Sequence, residues 1–267
     1  MTAALAADSL AGALADRVMD AAITGPSHDW APVDGGLREL LRLKAIPLEV
    51  DLAVSALRIA VTGGDVPLLG TDLRSAPYPA LLWNGARCSR AGMGPAAALT
   101  LVALVVGQND EAGSSRLVQS VRAGLAIRDS RSWPGERVVA PTAAATTDVI
   151  SVAACAAVSA GMGSEDVSKV LDIAGSLMTI KPARPVGSTE MSGQWSGHAL
   201  AAGWLAVQLH RAGVSGMSGG LEHTLACVIG LPSDNGQGCA APFGPVEGLL
   251  GRPPSTVNIR QIVELLG

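Results

Sequence analysis

Apolar positions along this chain fall into blocks separated by glycine and proline, and the blocks have helical length and spacing. Ala3 to Ile23 reads as a first helix, stopped by Gly25-Pro26, and the polar segment SHDWAPVDGG links it onward. Pro47 stands where a first-turn proline belongs, and LEVDLAVSALRIAV then runs to a glycine stop at Gly63-Gly64. GGDVPLLGTDLRSAPYP is turn-rich and predicts irregular structure. Pro95 opens an apolar helix that Gly107 closes, and Ser114 to Ile127 forms another. Between Arg128 and Pro141, RVVAP is the best strand-like or loop segment. A small-residue helix runs from Pro141 to Gly161, and Ser164-Glu165-Asp166 predicts an N-cap with acids in the first turn. Val167, Val170, Leu171, Ala174 and Leu177 follow as a core-facing stripe. After the loop TIKPARPVGST, the segment GQWSGHALAAG opens a long helix to Gly213, and Leu221 to Ile229 is a shorter one. GLPSDNGQGCAAPFGP reads as loop, and Val257 to Leu266 as a closing amphipathic helix. The pattern predicts an all-α fold in one helical domain, residues 1–267.

Composition sharpens this. Hydrophobic residues make up 48% of the chain but aromatic ones only 3%, so the core is built from Ala, Leu, Val and Gly, which let helices approach closely. A net charge of −4 leaves no basic footprint for nucleic acid. Cys88, Cys155, Cys227 and Cys239 stand far apart, without the spacing of a zinc site or a disulfide framework. The N-terminal stretch carries early acids and lacks the basic start of a signal peptide. Apolar runs such as PAAALTLVALVVG fall short of the ~20 residues that span a bilayer. The expectation is a cytoplasmic protein without a membrane span. Walker, GxGxxG and HExxH motifs do not occur, and no cofactor or metal is expected.

Several segments together resemble the MmgE/PrpD family, which includes 2-methylcitrate dehydratase, cis-aconitate decarboxylase and iminodisuccinate epimerase. The matching pieces are Thr62-Gly63-Gly64, Leu69-Gly70-Thr71, Trp83-Asn84-Gly85, Pro95-Ala96-Ala97, Pro141-Thr142-Ala143 and Ile173-Ala174-Gly175-Ser176. Gly197-His198-Ala199-Leu200-Ala201-Ala202-Gly203 is the best of them, and the order is kept over residues 35 to 230 or so. The resemblance implies a helical domain, a homodimer, and a short tail in place of the family's α+β lid domain. It also marks departures. Ser89, Gly92 and Gly94 stand where the family carries polar groups, its His-x-Thr becomes Ala140-Pro141-Thr142, its lysine becomes Ser192 and a histidine position becomes Trp195. Of the acid/base set used on citrate-like acids, Thr142 remains.

The resemblance implies a cleft at GQWSGHALAAG, with His198 and Gln194 as candidate catalytic residues. Trp195, Thr142, Arg87, Asn84 and Ser192 are candidate substrate contacts. Gly193, Gly197 and Gly203 would leave room for a ligand, and His198 could move a proton near neutral pH. The alternative for His198 is a satisfied packing residue, and for Arg87 a solvated charge. Asp148, in an otherwise apolar helix, needs a partner, a raised pKa or a capping role. Two functions follow. One is a cofactor-independent lyase or isomerase, carrying out elimination, epimerisation or cyclisation of a small organic or secondary-metabolite molecule in an apolar cleft. The other is a non-catalytic binding or scaffold protein. A pocket lined by Trp195, His198, Thr142 and Arg87 would favour the enzyme.

Overall fold

The computed structural model describes residues 10–24, 30–46, 48, 60, 63–107, 113–129, 136–179 and 190–229. These are mostly helical, in agreement with the all-α expectation. In chain order the elements are α1 (Leu10–Thr24), α2 (Ala31–Ala45), β1 (Val66–Pro67), β2 (Arg74–Ser75), α3 (Pro77–Arg90), α4 (Pro95–Gly107), α5 (Gly113–Asp129), α6 (Glu136–Ser159), α7 (Ser164–Ser176), α8 (Glu190–Arg211) and α9 (Gly220–Ile229). The two strands pair antiparallel, Val66 opposite Ser75, inside the segment read as irregular.

Helix α4 is apolar around its whole circumference and is accordingly buried, from Ala97 through Gly107 with few exceptions. It packs on α2, α5 and α6. The buried face of α6, Val149 to Val158, lies against it, and two polar groups of α6 are satisfied there. Ser159 Oγ donates to the Ala103 carbonyl at 3.0 Å and Cys155 Sγ to the Leu99 carbonyl at 3.4 Å. Burial pushes the Cys155 thiol pKa far up, so Cys155 is core, as expected.

Three local readings are corrected. Ala31–Ala45 is a helix, although its first residues belong to a segment read as a link. Pro32 suits the first turn, and Gly36 is required because a Cβ there would meet the Ala96 carbonyl oxygen at 2.8 Å and Thr100 Oγ1 at 2.5 Å. Helix α6 begins at Glu136, so RVVAP is neither strand nor loop, and Pro141 lies within the helix. The long packed stretch after Pro141 outweighs the one backbone hydrogen bond that proline removes. Ser164 is the first helical residue of α7 and not its cap. Its hydroxyl donates to Asp16 Oδ1 of α1 at 2.6 Å, while Gly163 holds the cap position. Most of LEVDLAVSALRIAV, the loop TIKPARPVGST and everything after Ile229 lie outside the described residues.

Helices α3 and α8 form the most extensive helix pair. They meet at glycines: a Cβ on Gly85 would stand 2.7 Å from Gly197 Cα, and one on Gly197 would run into the Leu82 carbonyl oxygen. Gly203 likewise lets α8 rest on Val152 and Ala153 of α6, and Gly193 meets the Ala86 carbonyl and Arg90. The glycines of GQWSGHALAAG therefore admit neighbouring helices, not a ligand.

At the far end of α7, the buried carboxylate of Asp172 accepts the Leu221 backbone N–H at 3.1 Å and so caps α9 from a neighbouring helix. Burial raises its pKa above 3.8, against the lowering effect of the backbone N–H groups of Leu221, Gly219 and Gly220. A carboxylate with a raised folded pKa stabilises most in its neutral form, and that contribution fades as pH rises from 3.8 through the folded pKa.

This packing makes the glycines unequal. Gly197→Ala should cost about 1–3 kcal/mol in chemical denaturation, whereas Gly35→Ala, where a Cβ meets nothing within 4 Å, should stabilise by about 0.4–1 kcal/mol. Equal effects at the two sites would disprove the close α3–α8 crossing. Asp172→Ala should cost about 1–3 kcal/mol by orphaning the Leu221 N–H. Asp172→Asn keeps an acceptor without a charge, so its stability relative to the parent should improve as pH rises above 3.8; a flat or falling difference refutes the raised pKa, and an Asp172→Ala variant as stable as the parent refutes the capping account.

Candidate functional site

Of the residues expected to form the cleft, those whose side chains are described do not gather on one cavity. Asn84 is fully buried in α3 and holds the β1–β2 hairpin: its Oδ1 accepts the Leu69 N–H at 2.8 Å and its Nδ2 donates to the Pro67 carbonyl at 2.9 Å. Trp83 adds a bond from Nε1 to the Leu69 carbonyl at 3.3 Å. Arg87 is 7% exposed, and its Nη2 donates to the carbonyls of Leu43 and Ile46 at 3.4 and 3.3 Å, at the C-terminal end of α2. A cation there meets the negative end of the helix dipole. Both residues expected as substrate contacts thus serve the fold. Thr142 and Ser192 lie in α6 and α8, and their side chains are outside those described.

Helix α8 does border a cavity, but with its other face. Ser196, Ala199 and Leu200 line it, and Gln194, Trp195 and His198 do not. For Gln194 and His198 the cause is rotational phase: at about 100° per residue each points roughly 200° away from Ser196, whereas Trp195 lies on the flank of the cavity-facing side. Gln194 is exposed, and Trp195 and His198 are half-buried. The Nε2 atom of His198 is buried without a hydrogen-bond partner. These three are corrections to the expected site.

The cavity measures about 210 Å³, is partly open to solvent and is lined from α3, α4, α5, α6 and α8. Its size lies below the roughly 300–1,000 Å³ of common ligand pockets, which suits a small molecule. Gly85, at the glycine crossing, forms part of the wall, with Cys88 and Ser89 one turn further along α3. The lip comes from the α3–α4 connection, where the helix ends in a left-handed turn. Gly92 takes φ +67°, its N–H donates to the Ser89 carbonyl, and the Met93 N–H donates to the Cys88 carbonyl. Glu39 of α2 then fixes the lip, its Oε2 accepting the Gly94 N–H at 3.0 Å. Of the positions where the resemblance marks departures, Ser89 and Gly94 line the cavity, while Gly92 ends a helix.

The polar centre is an ion pair. Arg128, near the end of α5, places Nη1 2.7 Å from Asp148 Oδ1 of α6. Both lie on the cavity wall, with side chains 26% and 24% exposed. This answers the question posed by Asp148, which has among its partners a cation twenty positions earlier in the chain. The hydroxyl-bearing Ser89, Ser151 and Ser196 come from three different helices, and Leu99, Val152 and Leu200 supply apolar wall. Cys88 is not a nucleophile here. Burial, and secondarily the charge of Glu39, push its thiol up to about 12, so it stays protonated at neutral pH. Asp148 is therefore the one side chain among those described in the lining that can accept a proton near neutral pH without first losing one. Sequence reasoning singled out Asp148 but not Arg128, Ser151 or Ser196. A serine one helical turn from a carboxylate in an apolar helix was the available signal.

Among the described residues no cluster of three His, Cys, Asp or Glu could hold a metal, and no helix is long and apolar enough to cross a membrane. No protein-family model matches the chain, and neither a curated protein nor a solved structure is similar to it at a significant level.

His198→Ala removes a side chain that lies off the cavity. It should leave ligand binding and any turnover within about twofold, below the 10²–10⁴-fold expected for a lost general base. A loss in that larger range with the helical content intact would return His198 to the site.

Proposed function

We propose that this protein is a cofactor-independent enzyme of lyase or isomerase type, diverged from the MmgE/PrpD family, that acts on a small organic molecule in the Arg128–Asp148 cavity. The observation that carries this is the convergence of one cation, one carboxylate and three serines from four helices on a cavity of about 210 Å³. Elimination and epimerisation both begin with removal of a proton from carbon. Asp148 is placed to take that proton, and Arg128 to neutralise negative charge developing on an adjacent oxygen. Asp148 Oδ1 already holds Arg128 Nη1 at 2.7 Å, which fixes the carboxylate in place on the cavity wall. Partial burial of both side chains makes these interactions stronger than they would be in bulk water. The reading includes a homodimer, as the resemblance implies, and a cytoplasmic location. A solution mass of one chain at micromolar concentration would overturn the dimer.

A second reading has one specific observation in its favour. The family-like helix spends its glycines on packing, and its histidine faces away from the cavity. A protein that only binds a small molecule in the same cavity would show this arrangement.

Incubation in D2O with a panel of small hydroxy acids, keto acids and amino acids separates the two. An enzyme should exchange or convert at least one compound, seen as loss of a carbon-bound proton signal in NMR. Asp148→Asn should slow that reaction by about 10²–10⁴-fold while retaining the helical circular dichroism. Binding without exchange or conversion would establish the binding protein instead.

A further inference from the structure

The charges of the cavity wall specify more than smallness. Arg128 commits Nη1 to Asp148, and a guanidinium carries five N–H donors in a planar fork, so its remaining edge can address a ligand. Asp148 sits in direct contact with it, and the exposure of both side chains leaves the pair reachable from the cavity. Among the described lining residues the charges are thus one of each sign, held as a compact dipole. A ligand with a single carboxylate that approaches Arg128 also approaches Asp148, and like charges at that range repel. A lone ammonium meets the converse problem at Arg128. A ligand carrying both charges close together can lie antiparallel to the pair and satisfy both partners without breaking the 2.7 Å contact.

We propose that the ligand of this cavity is a small zwitterion, an amino acid with a short side chain, its carboxylate against Arg128 and its ammonium against Asp148. The proposal rests on the reading of this cavity as the functional site, and it narrows the substrate class. Ser89, Ser151 and Ser196 can accept from the ammonium or donate to the carboxylate. Leu99, Val152 and Leu200 leave an apolar wall for an alkyl group, and a cavity of about 210 Å³ holds a molecule of that size.

Four probes of similar shape test this on the full chain by calorimetry or saturation-transfer NMR: L-alanine (with D-alanine), propanoate, isopropylamine and propanamide. The alanine zwitterion should bind at least about tenfold more tightly than either singly charged probe or the uncharged amide. Arg128→Gln and Asp148→Asn should each erase that preference. Equal or tighter binding of any of the other three overturns the proposal, and so does failure of alanine to bind. Ser196→Leu, which fills the cavity, tells that failure apart from failure of the site itself. If a compound from the D2O panel is still bound or converted in a Ser196→Leu-sensitive way, only the zwitterion falls. If binding or conversion is indifferent to Ser196→Leu, the cavity is not the site.

Discussion

The structure depends on how closely α3 and α8 can approach, and Gly85 and Gly197 set that distance. A methyl group on either would collide with backbone of the other helix, where no rotamer change can relieve it. Because the backbones touch at this point, the flanking side chains of both helices are carried into the interior on one side. Gly85, Ser196 and Ala199 are found on the cavity wall for this reason. On the other side of α3, Asn84 and Arg87 are turned to the hairpin and to the end of α2, where they satisfy backbone groups. One helix thus separates a structural face from a cavity face within a single turn.

The small-residue composition is the chemical counterpart of that crossing. With 3% aromatics, the core cannot fill space with large rings, and it does so by bringing helix axes together. Close approach repeats where α8 meets α6 at Gly203, where α5 meets Leu99 at Gly124, and where α7 meets α9 at Gly175. The cavity persists where five such helices cannot all converge. Its polar lining is stable because the two charges neutralise each other, which lowers the cost of holding them partly out of water.

Much of the fold was legible in the sequence. Pro95 and Gly107 bound α4 as expected, and Val167, Val170, Leu171 and Ala174 are buried along α7. Helix α2 was not legible, because Pro32, Gly35 and Gly36 look like linker residues until the contact of Gly36 with α4 is known. The site was less legible than the fold. A single Asp148 among apolar neighbours announces the need for a partner, but which cation supplies it depends on how α5 and α6 cross. His198 drew attention by its rarity and its glycine-rich setting. Its direction depends on the rotation of α8, which Gly197 and Gly203 fix through tertiary contacts rather than local pattern.

Small molecules are expected to enter at Arg128–Asp148 and not at the His198 face of α8. A crystal structure of the protein grown with the tightest-binding compound of the D2O panel tests this most directly. The expected result is ligand density between Arg128, Asp148 and Ser196, with His198 untouched. Density against His198 and Trp195, with the Arg128–Asp148 cavity empty, would contradict it.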